Sequence, residues 1–342
     1  MTHKVVTFGE IMLRLTTPEF QRFVQAEKFE ATYGGAEANV AVALANYGLD
    51  ASFVSRLPDN PLGQSAINHL RRFGVNTSEI VKGKGRLGIY FQEKGTAQRP
   101  SKIVYDRAGS AIAKVEPGDF DWKRILQGAS WFHTTGITPA LSQQAADATI
   151  ASVKTAREMG IPVSLDLNYR KNLWTPAEAG KVMSEVCQYV DLCIANEEDA
   201  EKVFGIKADG ANVTGGELSE EGYHEVIKKM VERFGFKYVA VTLRESYSAS
   251  HNGWSGLFYD GRTFYRSRRY DILPIVDRVG GGDSFGSGLI YALLAGKGPQ
   301  EAVDFAAAAS CLKHTIPGDF VLLSVDEVEL LAKGDASGRV QR

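Results

Sequence analysis

Short apolar runs alternate along the chain with longer stretches in which apolar positions recur at helical spacing. Val5–Leu15 opens as a strand, and its early part, VVTFGEIM, is apolar enough to lie inside a sheet. Gly34 and Gly35 then precede AEANVAVALANYG, an alanine-rich helix closed by Gly48. ASFVSRL reads as the next strand and NPLGQSAINHLRRFG as a helix ending at Gly74. Further on, strands fit SWFHTTG, VSLDLN, DLCIAN and YVAVTL, and helices fit Gln143–Met159, Ala177–Cys187, Glu197–Phe204 and Glu220–Phe234. This alternation predicts an α/β fold with a mostly parallel central sheet.

Two segments break the rhythm. Ile80-Val81, Leu87–Gln92 and Lys102–Tyr105 look like strands with no helix between them, divided by Gly, Lys and Pro. With residues 12–33, the stretch 79–108 is expected to form a small sheet apart from the main one, a lid. Residues 248–268 return to a hairpin pattern with Asp260-Gly261 as its turn. Helices over Asp283–Ala295, Pro299–Lys313 and Val325–Lys333 complete a single α/β domain spanning residues 1–342.

Composition narrows the class of function. The chain has 342 residues, 44% hydrophobic and 23% charged, with a formal net charge of −2. Such a balance gives no reason to expect nucleic acid or an anionic membrane as partner. No run approaches the roughly 18 apolar residues a membrane span needs, and the N-terminus lacks the pattern of a secretory signal, so a cytoplasmic location is expected. The three cysteines, Cys187, Cys193 and Cys311, make no CxxC pair and read as small hydrophobes of a reduced protein.

The candidate chemistry lies in IVDRVGGGDSFGSGLIYALLAG, residues 275–296. Gly280, Gly281 and Gly282 stand directly before Asp283, which opens a helix of small and apolar residues. A helix start leaves backbone N–H groups unpaired, and its dipole adds about half a positive charge. Glycines remove the Cβ atoms that would keep an anion away, so the turn suits a phosphate. Asp283 could be a simple cap. A cap does not require three glycines ahead of it, whereas a carboxylate beside a phosphate site can accept a proton from an attacking hydroxyl. There is no G-x-x-x-x-G-K-[ST], and Phe285 stands where a dinucleotide fingerprint would need its third glycine.

DRVGGGDSF closely resembles the D-T-x-G-A-G-D signature of the ribokinase-like (PfkB) sugar kinases, and GGAEANVAVALANYG resembles their N-terminal Gly-Gly signature. The likeness extends over essentially the whole chain. It implies a three-layer α/β/α domain with a small β-sheet lid, ATP and Mg²⁺ as cofactors, and Asp283 as catalytic base beside an anion hole at Gly280–Gly282. It implies nucleotide-side roles for Asn196, Thr242, Arg244, Asp277 and Gly282. Asn196-Glu197-Glu198-Asp199 resembles the family's N-x-x-E motif, so Asn196 and Asp199 would reach the metal through water, with Asp199 where Glu is usual. A monovalent cation near Asp277 and the 314–318 loop is a further option.

Within the family, GEIMLRL, YGGAEANVA, RPSKIVYDRAGSA, DLNYR, IANEED and HTIPGDF resemble 2-keto-3-deoxygluconate kinases. By that analogy Gly34, Gly35, Asn39, Tyr90, Tyr105, Arg107, Asn168 and Arg170 would surround a sugar acid, the arginines meeting its carboxylate. Glu37 reads as a helix-dipole partner, His314 as a structural histidine and Asp166 as structural. A homo-oligomer paired through the lid is expected. A kinase of a neutral sugar and a non-catalytic sugar-binding sensor are the competing readings.

Overall fold

A computed structural model describes residues 3–116, 118–196, 198–208, 220–335 and 337–338. The chain begins with β1 (Lys4–Phe8), β2 (Met12–Thr16), β3 (Glu30–Gly34) and α1 (Ala36–Asn46). It continues through β4 (Asp50–Pro58), α2 (Pro61–Arg72), β5 (Ile80–Gly83), β6 (Gly88–Glu93) and β7 (Lys102–Asp106). Next come α3 (Trp122–Ile125), β8 (Trp131–Thr135), α4 (Gln143–Glu158), β9 (Val163–Asp166), α5 (Pro176–Val186), β10 (Leu192–Ala195) and α6 (Asp199–Phe204). The last third holds α7 (Glu220–Phe234), β11 (Tyr238–Ser248), β12 (His251–Tyr259), β13 (Phe264–Arg266) and β14 (Tyr270–Ile272). Three helices close it: α8 (Gly281–Leu294), α9 (Pro299–Lys313) and α10 (Val325–Ala332).

The large sheet has the order β13-β12-β11-β10-β9-β8-β1-β4-β5, with β14 also paired to β12. Its strands from β5 to β11 run parallel, and β12 to β14 join antiparallel at one end. Parallel strands covered on both faces must be apolar on both, and successive residues here serve opposite sides. Val6 and Cys193 pack with Met183, Ile227 and Met230 on one face. Val5, Leu192 and Ile194 pack with Phe285, Leu289 and Phe305 on the other. The sheet thus lies between two helical layers. Gly288 of α8 has its Cα where a side chain would press on the Ala306 backbone, so the small-residue faces of α8 and α9 come together closely.

The second sheet has four strands in the order β3-β2-β6-β7. Three details differ from the sequence reading. The expected strand Val5–Leu15 is two strands in different sheets, because the chain crosses over at Gly9-Glu10-Ile11, where a Cβ on Gly9 would overlap the Glu37 carboxyl. Ile80–Gly83, expected in the small sheet, pairs with Ser55–Pro58 at the edge of the large one. The strand expected over YVAVTL does not end at Leu243: β11 runs on to Ser248, with Thr242 opposite Gly256.

The order of strands reverses at β1, which has β4 on one side and β8 on the other. Carboxyl ends of strands beside such a reversal form a crevice. The small sheet stands over that crevice, since β2 follows β1 directly and β3 leads into α1.

Candidate active site

A cavity of about 420 Å³ lies in this crevice, within the usual range for a small-molecule site. It is lined by Asp283, Gly280, Gly281 and Gly282, by Gly35 and Asn39 from the start of α1, and by Tyr90, Tyr105 and Arg107 from the small sheet. Asn168, Arg170, Asn196, Thr242 and Arg244 complete the predicted residues found there. Gly34, Asp277 and Asp199 do not line it. Gly34 leaves room for the Asp319 carboxylate against β3. Asp277 is buried behind the glycine turn, and Asp199 is tied into the start of α6, accepting from the amides of Asn196 (3.1 Å) and Tyr169 (3.2 Å).

The glycine turn is built differently from the expectation. Helix α8 begins at Gly281, two residues early, so Asp283 sits within its first turn rather than opening it. Each glycine is needed for its own reason. Gly280 is left-handed (φ 82°), and a Cβ there would strike the Asp319 carbonyl. A Cβ on Gly281 would come within 2.7 Å of the His314 ring. Gly282 alone faces open space, with nothing within 4 Å of a Cβ built on it. The amide of Gly281 turns back to the Arg278 carbonyl at 3.4 Å, while those of Gly282 and Asp283 have no partner among the described residues. Two free amides at a helix N-terminus, facing a gap the size of a side chain, suit an anionic oxygen.

Asp283 is half-buried in the cavity wall, and its Oδ2 accepts a hydrogen bond from Asn39 Nδ2 at 2.6 Å. Burial pushes its carboxyl up to about 7, against the hydrogen bond from Asn39 and with the negative charges of Asp319 and Glu37 adding to the rise. A carboxylate in that range takes a proton more readily than an ordinary aspartate. Asn39 lies one turn into α1, and its Oδ1 accepts from the Gly35 amide at 3.3 Å. The two glycine-led helix starts thus meet at one hydrogen bond.

Acidic groups cluster on one side. Asp166, at the end of β9, has its carboxyl pushed well above the usual range by burial and by the nearby Asp199 and Asp283. Asn168, two residues on, adopts φ 41°, a left-handed conformation that asparagine tolerates. Glu37 is buried: its Oε1 accepts from the Thr135 amide (3.2 Å), Thr135 Oγ1 (2.7 Å) and Thr138 Oγ1 (2.7 Å). It is a cavity wall held in place, more than a dipole partner.

Cationic and aromatic groups occupy the other sides. Arg244 is exposed at one end, near Arg278, whose Nη2 is anchored on the carbonyls of Ser248 (3.1 Å) and Ala249 (2.8 Å). Trp254 lies beside them, its ring 5.0 Å from that of His314. His314 Nδ1 is 2.7 Å from the Ser310 carbonyl, and burial brings its pKa down to about 4, so the ring is neutral at pH 7. At the opposite end Tyr90 and Tyr105 pack at 5.8 Å, and Arg107 stacks on Tyr105 while forming a buried ion pair with Glu10. Arg170 is exposed and donates from Nη1 to the Tyr169 carbonyl at 3.1 Å.

The sequence reading left Glu10, Arg14, Arg278, Trp254 and Asp319 without roles. Arg14, fully buried on β2, pairs with both Asp277 and Asp319 and donates to Gln92. Asp319 also accepts from the Tyr90 hydroxyl at 2.6 Å. This network ties the small sheet to the loop behind the glycine turn. Glu10, Arg14, Arg278 and Asp319 all stand inside the quoted motifs, but the partners that give them meaning are as much as 305 residues away. Glu197 lies outside the described residues.

Residues 2–319 match the pfkB family carbohydrate kinase family. A 2-dehydro-3-deoxygalactonokinase of Haloferax volcanii is 35% identical over 99% of each chain. A 2-dehydro-3-deoxygluconokinase of Thermoproteus tenax is 30% identical over 96% of this chain and 94% of that one. Among solved structures, a 2-dehydro-3-deoxygluconokinase from Thermotoga maritima is 54% identical, with a TM-score of 0.93 covering 97% of this chain and all of the other. The match over residues 2–319 and the 35% identical relative spanning the chain place the protein in the PfkB family of carbohydrate kinases.

Proposed function

We propose that this kinase phosphorylates 2-keto-3-deoxygluconate with ATP, giving 2-keto-3-deoxy-6-phosphogluconate. The observation that carries the reading is Asp283. Its carboxyl, held near neutrality and bonded to Asn39, stands at the edge of the free amides of Gly282 and Asp283. ATP enters from the side of Thr242, Arg244, Trp254 and Arg278, with its γ-phosphate against those amides. The sugar acid lies beneath Tyr90 and Tyr105. Arg107 already shares its charge with Glu10, so Arg170, with donors to spare, takes more of the substrate carboxylate.

Asp283 removes the proton of the terminal hydroxyl as that oxygen attacks the γ-phosphorus in line. The new P–O bond forms as the bond to the β-phosphate oxygen breaks, and ADP leaves. Asp283 then returns its proton to solvent. The cradle amides hold the charge on the transferring oxygens. Among the described residues no group of three acidic, histidine or cysteine side chains converges to hold a metal alone. That fits Mg²⁺, which keeps most of its waters and binds through phosphates and one or two carboxylates. Asn196 would hold it through water beside Asp166, with Asp199 behind them fixing the Asn196 and Tyr169 amides, and it would neutralise phosphate charge.

The Haloferax relative supports a second acceptor, the galactonate-derived epimer. A cytoplasmic location fits the need for ATP, the free thiols of Cys187, Cys193 and Cys311, and the lack, among the described residues, of a helix able to cross a membrane. Strand β7 ends the small sheet with Ile103, Val104 and Tyr105 exposed, and a second copy pairing there would cover them. Val104→Glu is then expected to convert an oligomer to monomer by light scattering; an unchanged mass would remove that interface.

Asp283→Asn tests the base directly. Turnover should fall by roughly 10²–10⁴, while calorimetry finds ATP binding within a few-fold of wild type. Turnover close to wild type would remove Asp283 from the chemistry.

A further inference from the structure

Lys313 is a buried cation near the site that the proposed reaction does not use. It ends α9, is fully buried, and donates from Nζ to the main-chain carbonyls of Asp277 (3.3 Å) and Ile316 (3.2 Å). Its stem runs directly behind the glycine turn: Cε lies 3.3 Å from where a Cβ on Gly280 would stand. An ammonium out of water is costly unless its charge is matched. Here two buried cations, Arg14 and Lys313, face two buried carboxylates, Asp277 and Asp319, and the count balances. Burial brings the Lys313 amine below the usual lysine range, and Asp277 and Asp319 oppose it by favouring the charged form.

Converging main-chain carbonyls behind an anion cradle are also what a monovalent metal ion would use. The residues near Asp277 and the 314–318 loop therefore do not suit such an ion, because a tethered ammonium already takes the carbonyls. We propose that Lys313 is a built-in cation, a positioning residue that fixes the 277–280 turn against the 316–319 loop and makes the enzyme independent of potassium. The carbonyls of Asp277 and Ile316 both accept from Lys313, which does not itself line the cavity. Its charge also lies within the wall that faces phosphate, where little water screens it. This rests on the kinase reading for its catalytic consequence, but its structural part does not.

The test compares wild type, Lys313→Ala and Lys313→Met in the chloride salts of potassium, sodium and tetramethylammonium, at equal ionic strength. Two quantities are read: kcat/KM for ATP, and Tm without nucleotide. Wild type should be indifferent to the salt in both. Lys313→Ala should lose ~10-fold or more in kcat/KM, the scale of one charged hydrogen bond, and recover most of it in potassium alone, its Tm rising with potassium. Lys313→Met, whose stem fills the space, should be as weak and should not recover. Wild type that needs potassium, or an alanine variant whose activity and Tm ignore it, overturns the inference. Should the alanine variant not fold, the wild-type comparison still decides. A wild type without phosphotransfer would instead count against the kinase reading, leaving the Tm series to judge Lys313.

Discussion

At the scale of single residues, the carboxylate proposed as base was legible because its neighbours in sequence are also its neighbours in space. Three glycines and Asp283 are contiguous, so a local rule about helix starts could find them. Its proton affinity was not legible. That depends first on burial and then on Asn39, Asp319 and Glu37, which the fold brings from far along the chain. The raised carboxyl has two consequences of opposite kind. For the reaction, Asp283 must be ionised, so kcat/KM for the sugar should rise about tenfold per pH unit below pH about 7 and level off above it. Steady-state kinetics across pH 5–9 reads this; a flat profile would mean another group takes the proton. For stability the sign is reversed. The folded state holds the proton more tightly than the unfolded chain, so this contribution is present below the ordinary aspartate range and lost as pH rises through about 7.

At the scale of elements, the strand–helix alternation gave most of the large sheet, since buried parallel strands must be apolar throughout. What periodicity could not give was where a strand changes sheets. VVTFGEIMLRL reads as one apolar run interrupted by Gly9-Glu10 and Arg14, and the crossing is marked in space by the Glu37 carboxyl, which leaves no room for a Cβ at Gly9. The start of α8 shows the same limit: three glycines look equivalent in sequence and all line the cavity, yet only Gly282 has open space where a Cβ would stand. The difference is measurable. Gly280→Ala should lower Tm, because its left-handed backbone and the Asp319 carbonyl leave no room, a cost of about 1–3 kcal/mol. Gly282→Ala should leave Tm nearly unchanged but reduce turnover, because its methyl enters the place proposed for phosphate. Equal melting losses in the two variants would contradict this account of the turn.

At the scale of the molecule, the Arg14 network joins the small sheet to the loop at Asp277 and Asp319, and Lys313 continues it behind the glycine turn. The small sheet and the glycine turn are therefore joined by one buried electrostatic unit, a connection between residues 305 positions apart that no local pattern reveals. On the proposed reading the acceptor is decided at the same scale, by Arg170 after β9 together with Tyr90 and Tyr105 of the small sheet. The most direct measurement is ATP consumption, coupled to ADP release, across 2-keto-3-deoxygluconate, its galactonate-derived epimer, free aldonates, fructose and ribose. The account predicts that one or both ketodeoxy acids give the highest kcat/KM, with fructose and ribose lower by roughly 10²-fold or more, as expected when a buried charged contact is lost. Fructose or ribose turned over as efficiently as the ketodeoxy acids would contradict it.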